Sequence, residues 1–373
     1  MLRPAEPPRR VVRLTRLALT DFRNYVAARL ETTAPHVVLT GPNGAGKTNV
    51  LEAVSLLSPG RGLRRATYAQ MIRQGARAPG GWAASARITK NGETIAVGTG
   101  VTGEAARQVR IDGEDRRPDD LIALARVLWL TPSMDGLFTG PTSDRRRFVD
   151  RLALALHPEH GRRANAYERA MRQRNRMFED GVSDAAWYDA VEREMAEHGA
   201  AIAGARVDLV VKLNAAQATR AAAGGDFPQA LLALAGDDGD TSPTDLLLRL
   251  RDGRPRDQAA GRALAGPHRV DLAVTHVEKD MPAALASTGE QKALLIGIVL
   301  GHVALVSRVI RETPLLLLDE VAAHLDPERR AALYATLSAL GAQTFMTGTD
   351  AALFEALGEA DRFTVEDGTI TRA

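Results

Sequence analysis

Eight residues, Gly41-Pro42-Asn43-Gly44-Ala45-Gly46-Lys47-Thr48, constrain this chain more than any other stretch. They read G-x-x-x-x-G-K-T, follow the apolar run Val37-Val38-Leu39, and lead into the helical pattern Asn49-Val50-Leu51-Glu52-Ala53-Val54. A strand, a glycine loop and a helix in that order make a phosphate cradle. The glycines let backbone N–H groups curl around an anion, and the helix aims the positive end of its dipole at it. Lys47 is then placed to reach the β- and γ-phosphates and Thr48 to offer its hydroxyl to Mg²⁺, with Asn49 completing the nucleotide-binding stretch. The pattern predicts a nucleoside triphosphate site.

A second stretch bears on the same chemistry. Pro314-Leu315-Leu316-Leu317-Leu318-Asp319-Glu320 puts four consecutive leucines before two acids. Four leucines in a row require a strand buried on both faces, as in a parallel sheet. Asp319, at the carboxyl end of that strand, is expected beside Thr48, where a carboxylate holds Mg²⁺. Glu320 points elsewhere and is placed to polarise an attacking water. Glu320 and Lys47 are therefore the candidate catalytic residues.

The rest of the chain is organised around these two stretches. Its 373 residues, 45% of them hydrophobic, suffice for two or more domains. Residues 1–10 lack the apolar core of a secretion signal and read as a disordered tail. From 11 to 127 the periods are short. A strand through Leu14, Leu17 and Leu19 precedes the glycine loop, and strands at Trp82–Ile88, Thr94–Thr99 and Gln108–Ile111 follow it, with Asn91-Gly92 as a hairpin turn. Between 128 and 262 helical periods take over. They predict a mainly helical inserted domain with helices near 143–156, 161–180, 183–223 and 243–251 and an acidic loop at 237–240. The long third pattern suggests a projecting arm. Residues 263–373 return to α/β character, with an apolar helix from Lys292 to Ile310 before the acidic strand. No run of 18 consecutive apolar residues occurs, which argues against a membrane span, and there is no cysteine for a disulfide or thiolate site. A cytoplasmic location fits both.

Ala286-Ser287-Thr288-Gly289-Glu290-Gln291 opens that apolar helix about two dozen residues before the acidic strand. Taken alone it is an N-capped helix start. Its position matches the signature of ABC-type ATPases, L-S-G-G-Q, with Ala286 for leucine and Glu290 for the second glycine. The chain further resembles the RecF family, bacterial recombination-repair ATPases related to the heads of SMC-type proteins. The resemblance rests on Asp21-Phe22-Arg23-Asn24-Tyr25, the stretch from Gly46 to Ala53, Gly140-Pro141 with Arg145-Arg146-Arg147-Phe148-Val149-Asp150, Gln173-Arg174-Asn175, Gly266-Pro267-His268-Arg269, the signature, and Asp319-Glu320 to Leu325-Asp326. Thr347-Gly348-Thr349 stands where ABC transporters carry a switch histidine. The resemblance implies an α/β ABC-type ATPase head with a β-rich lobe and the helical insertion. It implies that Ser287, Gly289 and Gln291 face the nucleotide of a second copy. ATP would then drive a homodimer on DNA and be hydrolysed slowly, with RecA loaded at gaps together with RecR and RecO.

Arginines give the sequence's own support for a DNA-facing surface. Arg162, Arg169, Arg172 and Arg176 form a helical stripe, and Arg61, Arg64 and Arg65 form a cluster. Such groups bind phosphates without sequence preference, or are solvated and paired with acids such as Glu168 and Glu179. At a net charge of +2, DNA affinity has to rest on local clusters. Aromatic residues make up only 4% of the chain, which favours duplex backbone contact over base stacking. Two alternatives stand beside the enzyme reading: a non-catalytic ATP-gated DNA clamp, and the nucleotide-binding subunit of an ABC-type assembly.

Overall fold

The computed structural model describes residues 9–76, 80–103, 106–236 and 242–373. The expected acidic loop at 237–240 and most of the expected N-terminal tail lie outside them. The chain divides into two compact units, Met1–Asp135 with Leu295–Ala373, and Gly136–Leu294.

The first unit opens with β1 (Val12–Phe22), β2 (Tyr25–Glu31), β3 (His36–Thr40) and α1 (Lys47–Ser55). It continues through β4 (Gly81–Lys90), β5 (Glu93–Thr102), β6 (Gln108–Ile111), β7 (Glu114–Arg116) and β8 (Val127–Leu130). The second unit holds α2 (Thr142–Leu156), α3 (His160–Glu179), α4 (Ala185–Ala222), β9 (Ala230–Ala235), α5 (Pro243–Asp252), α6 (Arg254–Ala260), β10 (Asp271–His276) and β11 (Met281–Pro282). Helix α7 (Thr288–Ile310) leads back into the first unit, which closes with β12 (Leu315–Leu318), α8 (Pro327–Leu340), β13 (Thr344–Gly348), β14 (Ala360–Glu366) and β15 (Thr369–Arg372).

Two six-stranded sheets build the first unit. One is antiparallel, in the order β2-β1-β4-β5-β6-β7; the other runs β15-β14-β3-β13-β12-β8 and is parallel except for β15. One core joins them: Leu14, Leu17 and Trp82 from the first sheet meet Leu39, Leu315, Leu317 and Phe345 from the second, and α1 buries Val50, Leu51, Ala53 and Val54 in the same cluster. Each buried valine or leucine among them stabilises the fold by roughly 1.5–3 kcal/mol. All four leucines of β12 are buried, as a strand covered on both faces requires. A polar stitch completes the join. The pairing of β1 with β4 slips between Leu14 and Arg16, and the buried Gln343 amide binds the backbone of Leu14, accepting from Leu14 N at 2.7 Å and donating to Leu14 O at 3.0 Å.

The second unit is less purely helical than its periodicity suggests. Helix α4 runs 38 residues and starts where Asp184 accepts a hydrogen bond from Ala186 N at 2.8 Å. It is no bare arm. Tyr188, Val191, Met195, Ile202, Leu209 and Leu213 are buried along it, against α3 and α5 and then against β9. Gly199 permits a close approach, since a Cβ there would lie 2.7 Å from Leu246 Cδ2 and 3.1 Å from Tyr167 Cε2. Strand β9 pairs antiparallel with β10, and Asn214 of α4 both donates to and accepts from Leu232, at 2.8 and 2.9 Å.

The unit boundaries consequently differ from the expected 128 and 262. Leu128–Leu130 belongs to β8, which pairs in parallel with β12, and the stretch through β10 and β11 to Leu294 belongs to the second unit. Both differences arise from strand pairing between distant segments, which leaves no local period to read. Helix α7 is long and apolar enough by composition to cross a membrane, but 78% of its most apolar window is buried within the protein.

Candidate nucleotide site

The glycine loop lies between β3 and α1, where the sequence places it, and other parts of the first unit hold it in shape. Gly41, at φ 147°, sits so close to β14 that a Cβ would fall 2.1 Å from Val365 O. Gly46, at φ 115°, is packed against Asn24 and Tyr25, whose side chains a Cβ would meet at 2.5 and 2.8 Å. Those two residues clamp the loop by its carbonyls. Asn24 Nδ2 donates to Ala45 O at 2.8 Å, and the buried Tyr25 hydroxyl donates to Gly46 O at 3.0 Å. Asp21-Phe22-Arg23-Asn24-Tyr25 thus has a physical role that its sequence does not announce. Pro42, Asn43 and Gly44 remain exposed, and Gly44 needs to be glycine for its φ of 83° alone.

Lys47 is 4% exposed and its Nζ donates to Gly41 O and Pro42 O at 2.7 and 2.8 Å, so the cation is held across the loop. Burial lowers its pKa, while the charges of Glu320 and Asp319 act in the opposite sense. No side chain caps the first turn of α1, so the N–H end of the helix is left to an anion. Asn49 is tied on both sides: its Nδ2 donates to Asn24 Oδ1 at 2.7 Å and its Oδ1 accepts from Arg64 at 2.6 Å.

The acids arrive by strand register. In β12, Leu318 pairs with Met346 of β13 on one side and Leu130 of β8 on the other, which brings Asp319 to the end of β13. Thr48 Oγ1 donates to Asp319 Oδ1 at 2.9 Å, and Thr347 Oγ1 donates to the same oxygen at 2.8 Å. Glu320 follows at φ 53°, in the left-handed region, and its N–H donates to Thr347 Oγ1 at 2.9 Å. Glu320 is half-buried, whereas Asp319 is only 6% exposed. Thr48 and Asp319 are hard oxygen donors of the kind Mg²⁺ takes. Among the described residues there is no cluster of three His, Cys, Asp or Glu side chains able to cage an ion. Two protein oxygens suit Mg²⁺, which keeps water and phosphate oxygens for the remaining positions. The residues fit the ion.

The signature belongs to the second unit. Ser287, Thr288 and Gly289 are exposed at the start of α7. Glu290 turns back on Ser287, accepting from its N–H and its hydroxyl, each at 2.9 Å, which makes a capping box. Lys279 also donates to Glu290, and this contact, ahead of those from Ser287, lowers its carboxyl pKa to about 2. The acid in the place of the second glycine is therefore paired and capped. Gln291 differs from the other signature residues: it is 7% exposed and its amide donates to Ala286 O at 2.8 Å, holding the turn from inside.

The arginines divide into two kinds. Arg162, Arg169, Arg172 and Arg176 are all exposed on α3, opposite its buried Ala166, Tyr167, Ala170 and Met177. Arg162 pairs with Glu159, and Arg172 lies 3.6 Å from Glu168. Arg61, Arg64 and Arg65 are all exposed, and Arg64 is also bound to Asn49 and lies 3.6 Å from Glu52, a fully buried carboxylate of α1 that takes Arg23 at 2.7 Å. Arg64 is thus fastened to the phosphate-loop helix.

A parallel sheet carrying a phosphate loop and an acidic strand end, an antiparallel sheet sharing its core, and an inserted unit that ends in a capped signature helix together define an ABC-type ATPase head of the SMC kind. The family model described as RecF/RecN/SMC N terminal domain matches residues 13–371. A DNA replication and repair protein RecF of Mesorhizobium japonicum is 53% identical over 370 residues, covering 96% of this chain and 97% of its own. That of Agrobacterium fabrum is 54% identical over 372 residues, covering 96% and 98%. The chain belongs to the RecF family. A solved structure of the recombination mediator protein RecF-ATP in the RecFOR pathway superposes with a TM-score of 0.85 at 19% identity, covering all of both chains. A Pyrococcus furiosus Smc head domain bound to the C-terminal domain of ScpA gives 0.56 at 13%, covering 97% and 96%. At such identities these two likenesses establish the fold.

Proposed function

We propose that this protein binds ATP with Mg²⁺, dimerises on DNA in that state and hydrolyses the ATP slowly, acting in recombinational repair and replication restart. The observation that carries the reading is the 2.9 Å contact between Thr48 and Asp319 beneath a Lys47 held across the glycine loop. The relatives are named for DNA replication and repair, and one solved relative is described with ATP in the RecFOR pathway. RecR, RecO and RecA are accordingly the expected partners in loading the recombinase at gapped DNA.

Each residue then has a task. The loop from Gly41 to Gly46 offers backbone N–H groups to the phosphates, and Lys47 leaves its two carbonyl partners to meet the β- and γ-phosphates. Thr48 and Asp319 hold Mg²⁺, which when bound neutralises charge on the phosphates in the transition state. Glu320 orients the attacking water and takes its proton. Ser287 and Gly289 of a second copy close over the γ-phosphate, while Gln291 keeps their turn in shape. The exposed stripe on α3 supplies phosphate contacts to duplex DNA.

Sizing the protein with ATP, with duplex DNA and with both tests the reading, and a salt titration of DNA binding extends it. A dimer that forms with ATP, and an ATP-bound form with the steeper salt dependence, are expected, since each phosphate contact adds about 0.9 to the slope of log affinity against log salt. Arg169→Glu with Arg172→Glu should flatten that slope and spare the dimer. A protein that stays monomeric with ATP and DNA together would overturn the reading. An unchanged slope in the double variant would move the DNA to another surface, with Arg61 and Arg65 the next to test.

A further inference from the structure

Thr347 is the penultimate residue of β13, and its hydroxyl touches both residues of the acidic pair, Asp319 by its carboxylate and Glu320 by its backbone. It is 1% exposed, donates to Asp319 Oδ1 at 2.8 Å and accepts from Glu320 N at 2.9 Å. One side-chain oxygen therefore sets where the metal-holding carboxylate lies and how the next residue's backbone turns. That turn is demanding. Glu320 adopts φ 53°, a conformation that a residue with a Cβ resists, and it is kept only where its surroundings enforce it. The bond from Glu320 N to Thr347 supplies such a constraint. Asp319 N is separately fixed to Leu130 O at 2.9 Å, so backbone and side chain of Asp319 are held from two neighbouring strands.

We propose that Thr347 is the positioning residue of this site, its hydroxyl fixing the Asp319 carboxylate for Mg²⁺ and the Glu320 backbone for water activation in one contact. The inference rests on the nucleotide reading above. A residue that only filled space would be replaced without loss by valine, which has the shape of threonine. A residue that only satisfied a buried carboxylate would leave the base unaffected. The Thr347 hydroxyl does both jobs because Asp319 and Glu320 are adjacent and Thr347 reaches both from β13. Partners of this outer kind change metal affinity or activity by about 10–100-fold when lost.

The test uses the full chain with Thr347→Val, Thr347→Ala and Thr347→Ser. A fluorescent ATP analogue is bound at increasing Mg²⁺, and kcat and KM for ATP hydrolysis are measured at saturating Mg²⁺. Thr347→Val and Thr347→Ala should need about 10-fold more Mg²⁺ for half-maximal binding and lose about 10–100-fold in kcat, with KM changed by less than about threefold. Thr347→Ser, which keeps the hydroxyl, should recover both to within about threefold of the unsubstituted chain. Should Thr347→Val not fold, the contrast between Thr347→Ala and Thr347→Ser decides. An unchanged Mg²⁺ requirement and kcat in Thr347→Ala, or Thr347→Ser as impaired as Thr347→Ala, would overturn the proposal. No Mg²⁺-dependent nucleotide binding by the unsubstituted chain would overturn the nucleotide reading itself.

Discussion

Two buried polar networks, one in each unit, are built from similar groups to opposite ends. In the second unit Arg174 is fully buried, and all three guanidinium nitrogens are used: Nε donates to Glu192 Oε1 at 2.9 Å, Nη1 to Asp257 Oδ2 at 2.5 Å and Nη2 to Leu250 O at 2.8 Å. Glu192 is completed by Arg254, and Asp257 Oδ1 accepts from Leu264 N at 3.0 Å. In the first unit Asp319 takes both its hydroxyl donors on one oxygen. Its other oxygen has no protein partner among the described residues, and Thr48 and Thr347 are hydroxyls that both donate and accept. Every guanidinium nitrogen of Arg174 and both oxygens of Glu192 and of Asp257 have a protein partner, whereas one oxygen of Asp319 has none among the described residues. Burial and charge alone do not mark a site; spare hydrogen-bonding capacity at a buried charge does.

The same distinction sorts the family motifs. Gln173-Arg174-Asn175 supplies the knot and a further bond from Ala263 N to Asn175 Oδ1 at 2.9 Å. Asp150, which ends the Arg145–Asp150 motif, accepts from Arg206 at 2.8 and 2.9 Å and meets His160 at 2.8 Å. His268 of Gly266-Pro267-His268-Arg269 meets the Tyr167 hydroxyl at 2.8 Å. In the second unit these motif residues hold its own elements together, whereas Thr48 and Asp319 meet at 2.9 Å at the end of the glycine loop that Lys47 spans.

The sharpest way to break the contrast is to neutralise the open network at its base. Glu320→Gln should still bind ATP and lose about 10²–10⁴-fold in turnover, whereas Lys47→Ala should lose most of the ATP affinity. Wild-type hydrolysis by Glu320→Gln would remove Glu320 from the role of base. For the closed network the expected effect is on stability. Arg174→Met takes from the buried Asp257 its ion pair and leaves the buried Glu192 to Arg254, and should cost about 3–5 kcal/mol in urea unfolding, with nucleotide affinity changed by less than about twofold because the sites share no partners. A large loss of nucleotide affinity in a folded Arg174→Met protein would show that the knot serves the site as well.

The smallest effect is read through pH. Burial alone would raise the carboxyl pKa of Asp150, but His160 and Arg206 outweigh it and bring it from the usual 3.8 to about 2. A carboxylate held below its unfolded value adds stability above the unfolded pKa, and that stability is lost as pH falls through the folded one. Asp150→Asn should therefore be less stable than the unsubstituted chain by about 2 kcal/mol at pH 7. The difference should shrink between about pH 4 and pH 2. A difference that does not change with pH would assign the role of Asp150 to shape instead of charge.

Local patterns carried much of the architecture. Glycine loop, helix α1, the leucine strand and the long apolar helix all announce themselves because each depends on neighbours in sequence: φ angles only glycine adopts freely, a 3.6-residue period, four leucines covered on both faces. Asp319 beside Thr48 was legible for the same reason, since a parallel strand end in this kind of sheet has a known place for an acid. Strand β9 was not legible. Its Ala-Leu-Leu-Ala-Leu-Ala run has no β-branched residue, and its partner β10 lies some 40 residues on.

By itself, then, the sequence determined which residues could hold a triphosphate and its metal, because that chemistry needs particular side chains at fixed local spacing. Only the tertiary structure decided which residues hold those groups in place. Asn24 and Tyr25 reach the glycine loop from 21 residues away, and Thr347 reaches Asp319 across 28. It also decided that Glu290 is paired with Lys279 and that Arg64 belongs to the nucleotide side of its unit. Such contacts are made between strands and turns that meet only when the sheets form, and hydrogen bonds at 2.7–3.0 Å leave no trace in composition or period.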